Sequence, residues 1–193
     1  LTDGDFEDNP TTAWTTFGNA FLDGEVIGDL DQAAGFSGAE SAKTFGNFNG
    51  DPNFTGFFQD IAVDGVNLSV GDLIQMSGYI ASPSGDAMAG GNLAFYEITF
   101  FSTALGEFGF GDNTSANFTS GDATDSWQFF TTEGVFIPAE AEAVRAKAVF
   151  VNIGFAGGSA WFDNAQLQKI PEPASLSILG ACALGMVARR RRS

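Results

Sequence analysis

Hydrophobic and polar positions alternate along much of the chain. From Val144 to Phe155, Val144, Ala146, Ala148, Phe150 and Asn152 fall on one side, and Arg145, Lys147, Val149, Val151 and Ile153 on the other. A period of two predicts a strand. Leu73 to Ala81 reads the same way after a turn at Val70-Gly71-Asp72, with Leu73, Gln75, Ser77 and Tyr79 on one face. FTGFFQDIAV (54–63) alternates in part, and NLAFYEITFFST (92–103) is strongly strand-like. If Phe95 points inward there, Tyr96, Ile98 and Phe100 share the other surface. WQFFTTEGVFIPA and SAWFDNAQLQKI add further strands. Residues 105–126, rich in Gly, Asn, Ser and Thr, read as a long loop. PAEAEAV reads as one helical turn with Pro138 at its start. No 3.6-residue period appears before the last twenty residues, and no internal repeat. Eight or nine short antiparallel strands with Gly-rich turns predict an all-β sandwich.

Composition sharpens this picture. Twenty-one Phe stand against two Tyr and three Trp, so most rings belong in a packed core. Residues 1–170 suit one domain. They hold only Lys43, Arg145, Lys147 and Lys169 against 23 of the 24 acids, a net charge of −19. Such a surface repels nucleic acid, which is excluded as a partner. The absence of His removes Ser-His-Asp and Cys-His catalysis and imidazole-based zinc sites. The single Cys, Cys182, excludes an internal disulfide.

Residues 171–193 form a second unit. Pro171, Glu172 and Pro173 precede an uncharged run, Ala174 to Ala188, which ends at Arg189, Arg190, Arg191 and Arg192. As one short hydrophobic helix the run would span about 22 Å, less than a hydrocarbon core of about 30 Å. The arginines belong on the cytoplasmic side, which puts residues 1–170 outside. Order, spacing and position resemble the PEP-CTERM sorting signal. That resemblance implies export from a Gram-negative bacterium and transient anchoring in the inner membrane. It also implies handling by an exosortase-type membrane protease near Pro171–Pro173, with delivery to the cell surface or the extracellular space. An ordinary anchor with a stop-transfer cluster is the rival reading.

The body resembles jelly-roll carbohydrate-binding modules over residues 3–170. The carriers are GDFE (4–7) followed by Trp14, FSGAESAK (36–43), FFQDIAV, Trp127 opening WQFFTTEGVFIPA, and the closing WFDNAQL. The resemblance implies a jelly-roll β-sandwich and one structural calcium ion held by Glu7 and Asp163, with carbonyls from Gly38–Glu40. Asp5 shares a strand face with Glu7 and joins the set. Calcium takes six to eight oxygen ligands, which these groups supply. Sugar binding needs an exposed aromatic face with flanking polar groups; Tyr79 and Tyr96 are the candidate rings, while Trp127 and Trp161 read as core. A glycosidase needs two carboxyls across a cleft; Glu97 and Glu107 are present, but nothing distinguishes them. The expectation is therefore an exported, non-catalytic surface or matrix protein, with a module recognising exopolysaccharide as the alternative.

Overall fold

The computed structural model describes residues 1–7, 10–25, 40–104 and 106–171. Twelve strands occur among them: β1 (Thr15–Phe17), β2 (Asn19–Glu25), β3 (Ser41–Phe45), β4 (Asn53–Ala62), β5 (Leu73–Ala81), β6 (Leu93–Ser102), β7 (Gly106–Thr114), β8 (Phe118–Thr119), β9 (Gln128–Thr131), β10 (Val135–Phe136), β11 (Ala143–Asn152) and β12 (Ser159–Lys169). Every pairing is antiparallel. One sheet, sheet A, runs β1-β4-β11-β6-β7, with β8 also on β6. The other, sheet B, runs β10-β5-β12-β3-β2, with β9 also on β5. The all-β sandwich is therefore as expected, with twelve strands among the described residues in place of eight or nine.

The pleat explains the core. β11 buries Val144, Ala146, Ala148, Phe150 and Asn152, one of the two sets into which its alternation divides it. Ala148 lies opposite Phe57 on β4 and Tyr96 on β6, and Ala146 lies opposite Gln59 and Ile98. The inner row of sheet A thus places a small Ala between large neighbours on both sides. Phe162 of β12 meets Phe57 at 5.5 Å and Tyr96 at 5.5 Å, both edge-on, and locks the sheets together. Gly78 on β5 is required by this packing: a Cβ there would collide with the ring and hydroxyl of Tyr96.

Two local expectations are corrected, and a third segment gains detail. The stretch 105–126 is not one loop, because Gly106–Thr114 pairs along β6 as β7, through two register shifts. Its strand character comes from the neighbour, which a Gly- and Asn-rich segment does not advertise. PAEAEAV forms a turn, with the Ala141 amide donating to the Pro138 carbonyl at 3.1 Å, and leads straight into β11. WQFFTTEGVFIPA is two strands, β9 and β10, both on β5, with one extra residue between them. The described part has one short α-helix, α1 (Pro10–Ala13), and one 3-10 turn (Ser84–Asp86), neither of which the pattern predicted. Among the described residues no helix is long and apolar enough to cross a membrane. The run Ala174–Ala188, Glu172, Pro173 and Arg189–Arg192 lie outside the described residues.

Candidate functional site

The outer face of sheet A is built by the same registers that fill the core. Odd-numbered positions of β11 point outward, so Arg145 sits between Asp60 of β4 and Thr99 of β6, and Lys147 between Phe58 and Glu97. Arg145 is held from three directions. Its Nε donates to Asp60 Oδ1 at 2.6 Å and a terminal nitrogen to Oδ2 at 2.7 Å, a two-pronged fork. Its guanidinium carbon lies 3.7 Å from the Phe58 ring centre and 4.3 Å from that of Phe101. A cation between two rings is attracted by both π faces. One row along, Lys147 Nζ lies 2.7 Å from Glu97 Oε2. Phe17 of β1 continues the aromatic surface, 6.3 Å from Phe58.

Clefts open on both sides of this pair. One, of about 700 Å³, is lined by Asp60, Phe101, Ser102, Thr103, Glu142, Ala143 and Arg145. The Thr103 hydroxyl donates to Glu142 Oε1 at 2.6 Å and fixes that carboxylate at the rim. The other, of about 480 Å³, is lined by Thr2, Asp3, Thr12, Ala13, Thr15, Phe58, Gln59 and Asp60. Asp60 lines both. Such a surface offers apolar rings, oriented donors and oriented carboxylates between two clefts, which suits a ligand carrying both hydroxyls and apolar faces.

The two expected sugar-binding tyrosines do not share a surface. Tyr96 is fully buried in the core, which corrects its placement on an exposed face. Tyr96 faces inward with Ala94, Ile98 and Phe100, the alternate positions of β6 that fill the core, and its hydroxyl finds partners there. It donates to the Tyr79 carbonyl at 2.9 Å and approaches the Asp163 carbonyl at 3.3 Å. Burial, then the Asp163 charge, push its ionisation well above the ordinary 10.0. Tyr79 is half-buried on the outer face of sheet B, edge-on to Phe129 at 5.3 Å. On the same face Trp161 is buried beneath Lys43, whose ammonium lies 4.9 Å from its ring centre. Glu97 is the partner of Lys147.

The first residues adjoin β12: the Ala165 amide donates to the Gly4 carbonyl at 2.7 Å. Glu7 Oε1 accepts from the Glu40 amide at 2.8 Å, and Asp163 Oδ1 from the Asn164 amide at 2.6 Å. Asp5 lines a cleft of about 320 Å³ with Asn164, Ala165 and Gln166. Gly38 and Ala39 lie outside the described residues. Among the described residues, no three His, Cys, Asp or Glu side chains gather as a metal cluster.

Arg145, Asp60, Phe58 and Phe101 were not singled out as a site by the sequence. The available signal was two cations in the alternation of β11, half of the body's four.

The fold is one that known structures share. Solved structures that share it include carbohydrate-binding modules from the beta-sandwich superfamily with promiscuous specificity (TM-score 0.55, 19% identity, 86% of this chain and 60% of that one). Another is the CBM22-1 xylan-binding domain of Paenibacillus barcinonensis Xyn10C (TM-score 0.53, 15% identity, 88% and 94%). A third is the enzymatically active domain of bacteriophage CBA120 tailspike protein 4 (TM-score 0.54, 13% identity, 88% of this chain, only 21% of that chain). These likenesses establish a carbohydrate-binding-module-like sandwich, found both as separate modules and within enzyme chains. No curated protein matches the sequence. Residues 169–192 match the PEP-CTERM protein-sorting motif, so the chain carries the signal of an exported protein sorted to the cell envelope.

Proposed function

We propose that this chain is an exported, non-catalytic surface or matrix protein, released through an exosortase-type protease, whose sandwich holds a polysaccharide on the outer face of sheet A. The observation that carries the reading is Arg145, forked to Asp60 and layered between Phe58 and Phe101, between two clefts on an open sheet face. Locked side chains bind at low entropic cost, since little freedom is left to lose. The face is mixed in charge within a strongly acidic body. That favours a neutral glycan over an acidic one, with exopolysaccharide the natural ligand outside the cell. On this face Glu97 is tied to Lys147 and Asp60 to Arg145, which supports a binding role for these two carboxylates.

In the same reading, Ala174–Ala188 inserts transiently in the inner membrane of a Gram-negative bacterium before processing. A structural calcium ion would be held by Glu7 and Asp163, assisted by Asp5, and would tie the first residues to β12.

Affinity electrophoresis through gels containing neutral or acidic polysaccharides tests the glycan reading. Retardation in a neutral glycan that Arg145→Ala abolishes is the expected result. Equal mobility in every gel would refute binding and leave a purely structural surface protein.

A further inference from the structure

The tail leaves the sandwich at a defined place. β12 stays paired with β5 up to Lys169, which lies opposite Ile74. The Ile170 amide then donates to the Leu73 carbonyl at 2.8 Å, and Lys169 Nζ lies 2.7 Å from Asp72 Oδ2. No linker separates the fold from the sorting motif, whose match begins at Lys169. The apolar run starts at Ala174, four residues beyond Ile170. Four fully extended residues reach about 14 Å. With the run in a bilayer, the end of the sandwich around Ile170 must lie against the membrane surface.

That end carries exposed apolar side chains. Val66 is 81% exposed, Val70 53% and Phe136 57%. All three stand close to the exit point. Phe136 pairs opposite Leu73, and the Gly71 amide donates to the Ile137 carbonyl at 2.9 Å. Asn67 and Leu68 line one cleft together with Leu167 and Lys169. The supporting turns are braced. Asp64 accepts from the amides of Val66 and Asn67, which hold its carboxyl below the ordinary range, and the Gly65 amide donates to the Leu68 carbonyl. Exposed Asp64 and Glu133 lie within three residues of Val66 and Phe136 in the chain, and Lys169 is paired with Asp72. An acidic rim is repelled by anionic headgroups.

We propose that Val66, Val70 and Phe136 form a membrane-contact surface for a zwitterionic lipid bilayer, which orients the sandwich while its tail is in place. The proposal rests on the reading of Ala174–Ala188 as membrane-inserted. The opposite end of the sandwich, where Ile153 and Phe155 are also exposed, is held away from the same bilayer and serves as the control.

The test uses the full chain with Cys182→Ser and one new cysteine at a time: Val66→Cys, Val70→Cys, Phe136→Cys or Phe155→Cys. Each is labelled with an environment-sensitive dye and reconstituted into phosphatidylcholine vesicles. The expected result is flotation of all four. Emission at 66, 70 and 136 shifts to the blue and is quenched by lipid-borne nitroxides, and position 155 does neither. Replacing half of the lipid by phosphatidylglycerol should weaken the quenching. Flotation with no quenching at 66, 70 and 136, or with equal quenching at 155, overturns the contact surface while the tail reading stands. Unchanged quenching in anionic vesicles overturns the lipid preference. Failure to float overturns the tail reading and the contact surface with it.

Discussion

The hydroxyl of Tyr96, on one sheet, donates to the backbone carbonyl of Tyr79, on the other, at 2.9 Å. The bond crosses the core beside Gly78, whose missing Cβ leaves the space. Tyr96→Phe keeps the ring and deletes the bond, so the loss should be about 1 kcal/mol by urea denaturation. The pH dependence has a definite sign. The folded-state ionisation of Tyr96 is raised, so its contribution is complete below the unfolded value of 10.0 and is lost as pH climbs above it. The melting temperature should fall above pH 10, and less steeply in Tyr96→Phe.

Arg145→Ala should abolish glycan retention with little loss of fold. Its ion pair with Asp60 is partly exposed, and such pairs contribute about 0–1 kcal/mol. Arg145→Lys should not restore retention, because an ammonium cannot fork to both oxygens of Asp60 or lie flat between two rings. Gel mobility and urea midpoints, measured on the same three proteins, separate binding from stability.

Asn152 should be the costliest polar residue to replace. Its Oδ1 accepts from the Phe48 amide at 3.2 Å and from Asn53 Nδ2 at 3.1 Å. Its Nδ2 donates to Asn92 Oδ1 at 3.1 Å and to the Ala156 carbonyl at 2.7 Å. The residue is fully buried and ties three loops at one end of the sandwich. Asn152→Ala should cost about 3 kcal/mol by leaving buried partners unsatisfied. Hydrogen exchange should accelerate first at the Phe48 and Ile153 amides.

The calcium proposal predicts thermal stabilisation by the metal. At calcium 100-fold above Kd the linkage is about 2.7 kcal/mol, a Tm rise of roughly 5–10 °C for a domain of this size. A chelator should reverse it, and Glu7→Gln should remove it. Calorimetric titration showing no heat and no shift in Tm would dispose of the site.

Local alternation alone located β5 and β11 and sorted the residues of β11 into its two faces, because side chains alternate across a pleat whatever the neighbours; which face is buried was decided by the packing of the two sheets. Composition alone excluded histidine chemistry and disulfides, and the order Pro-Glu-Pro, apolar run and arginines sufficed to mark the sorting motif. Only the tertiary structure decided the rest. β7 is a strand because β6 offers it hydrogen bonds, not because its residues prefer that state. Tyr96 faces inward although Phe95 beside it is the more apolar, and the partner carbonyls of Tyr79 and Asp163 come from distant strands. The candidate site depends most on long-range pairing. Arg145 and Asp60 are 85 residues apart, and only the β4–β11 register brings the fork together between Phe58 and Phe101. A sequence pattern shows which side of a strand a residue occupies; which residue stands across from it is fixed when the sheet forms.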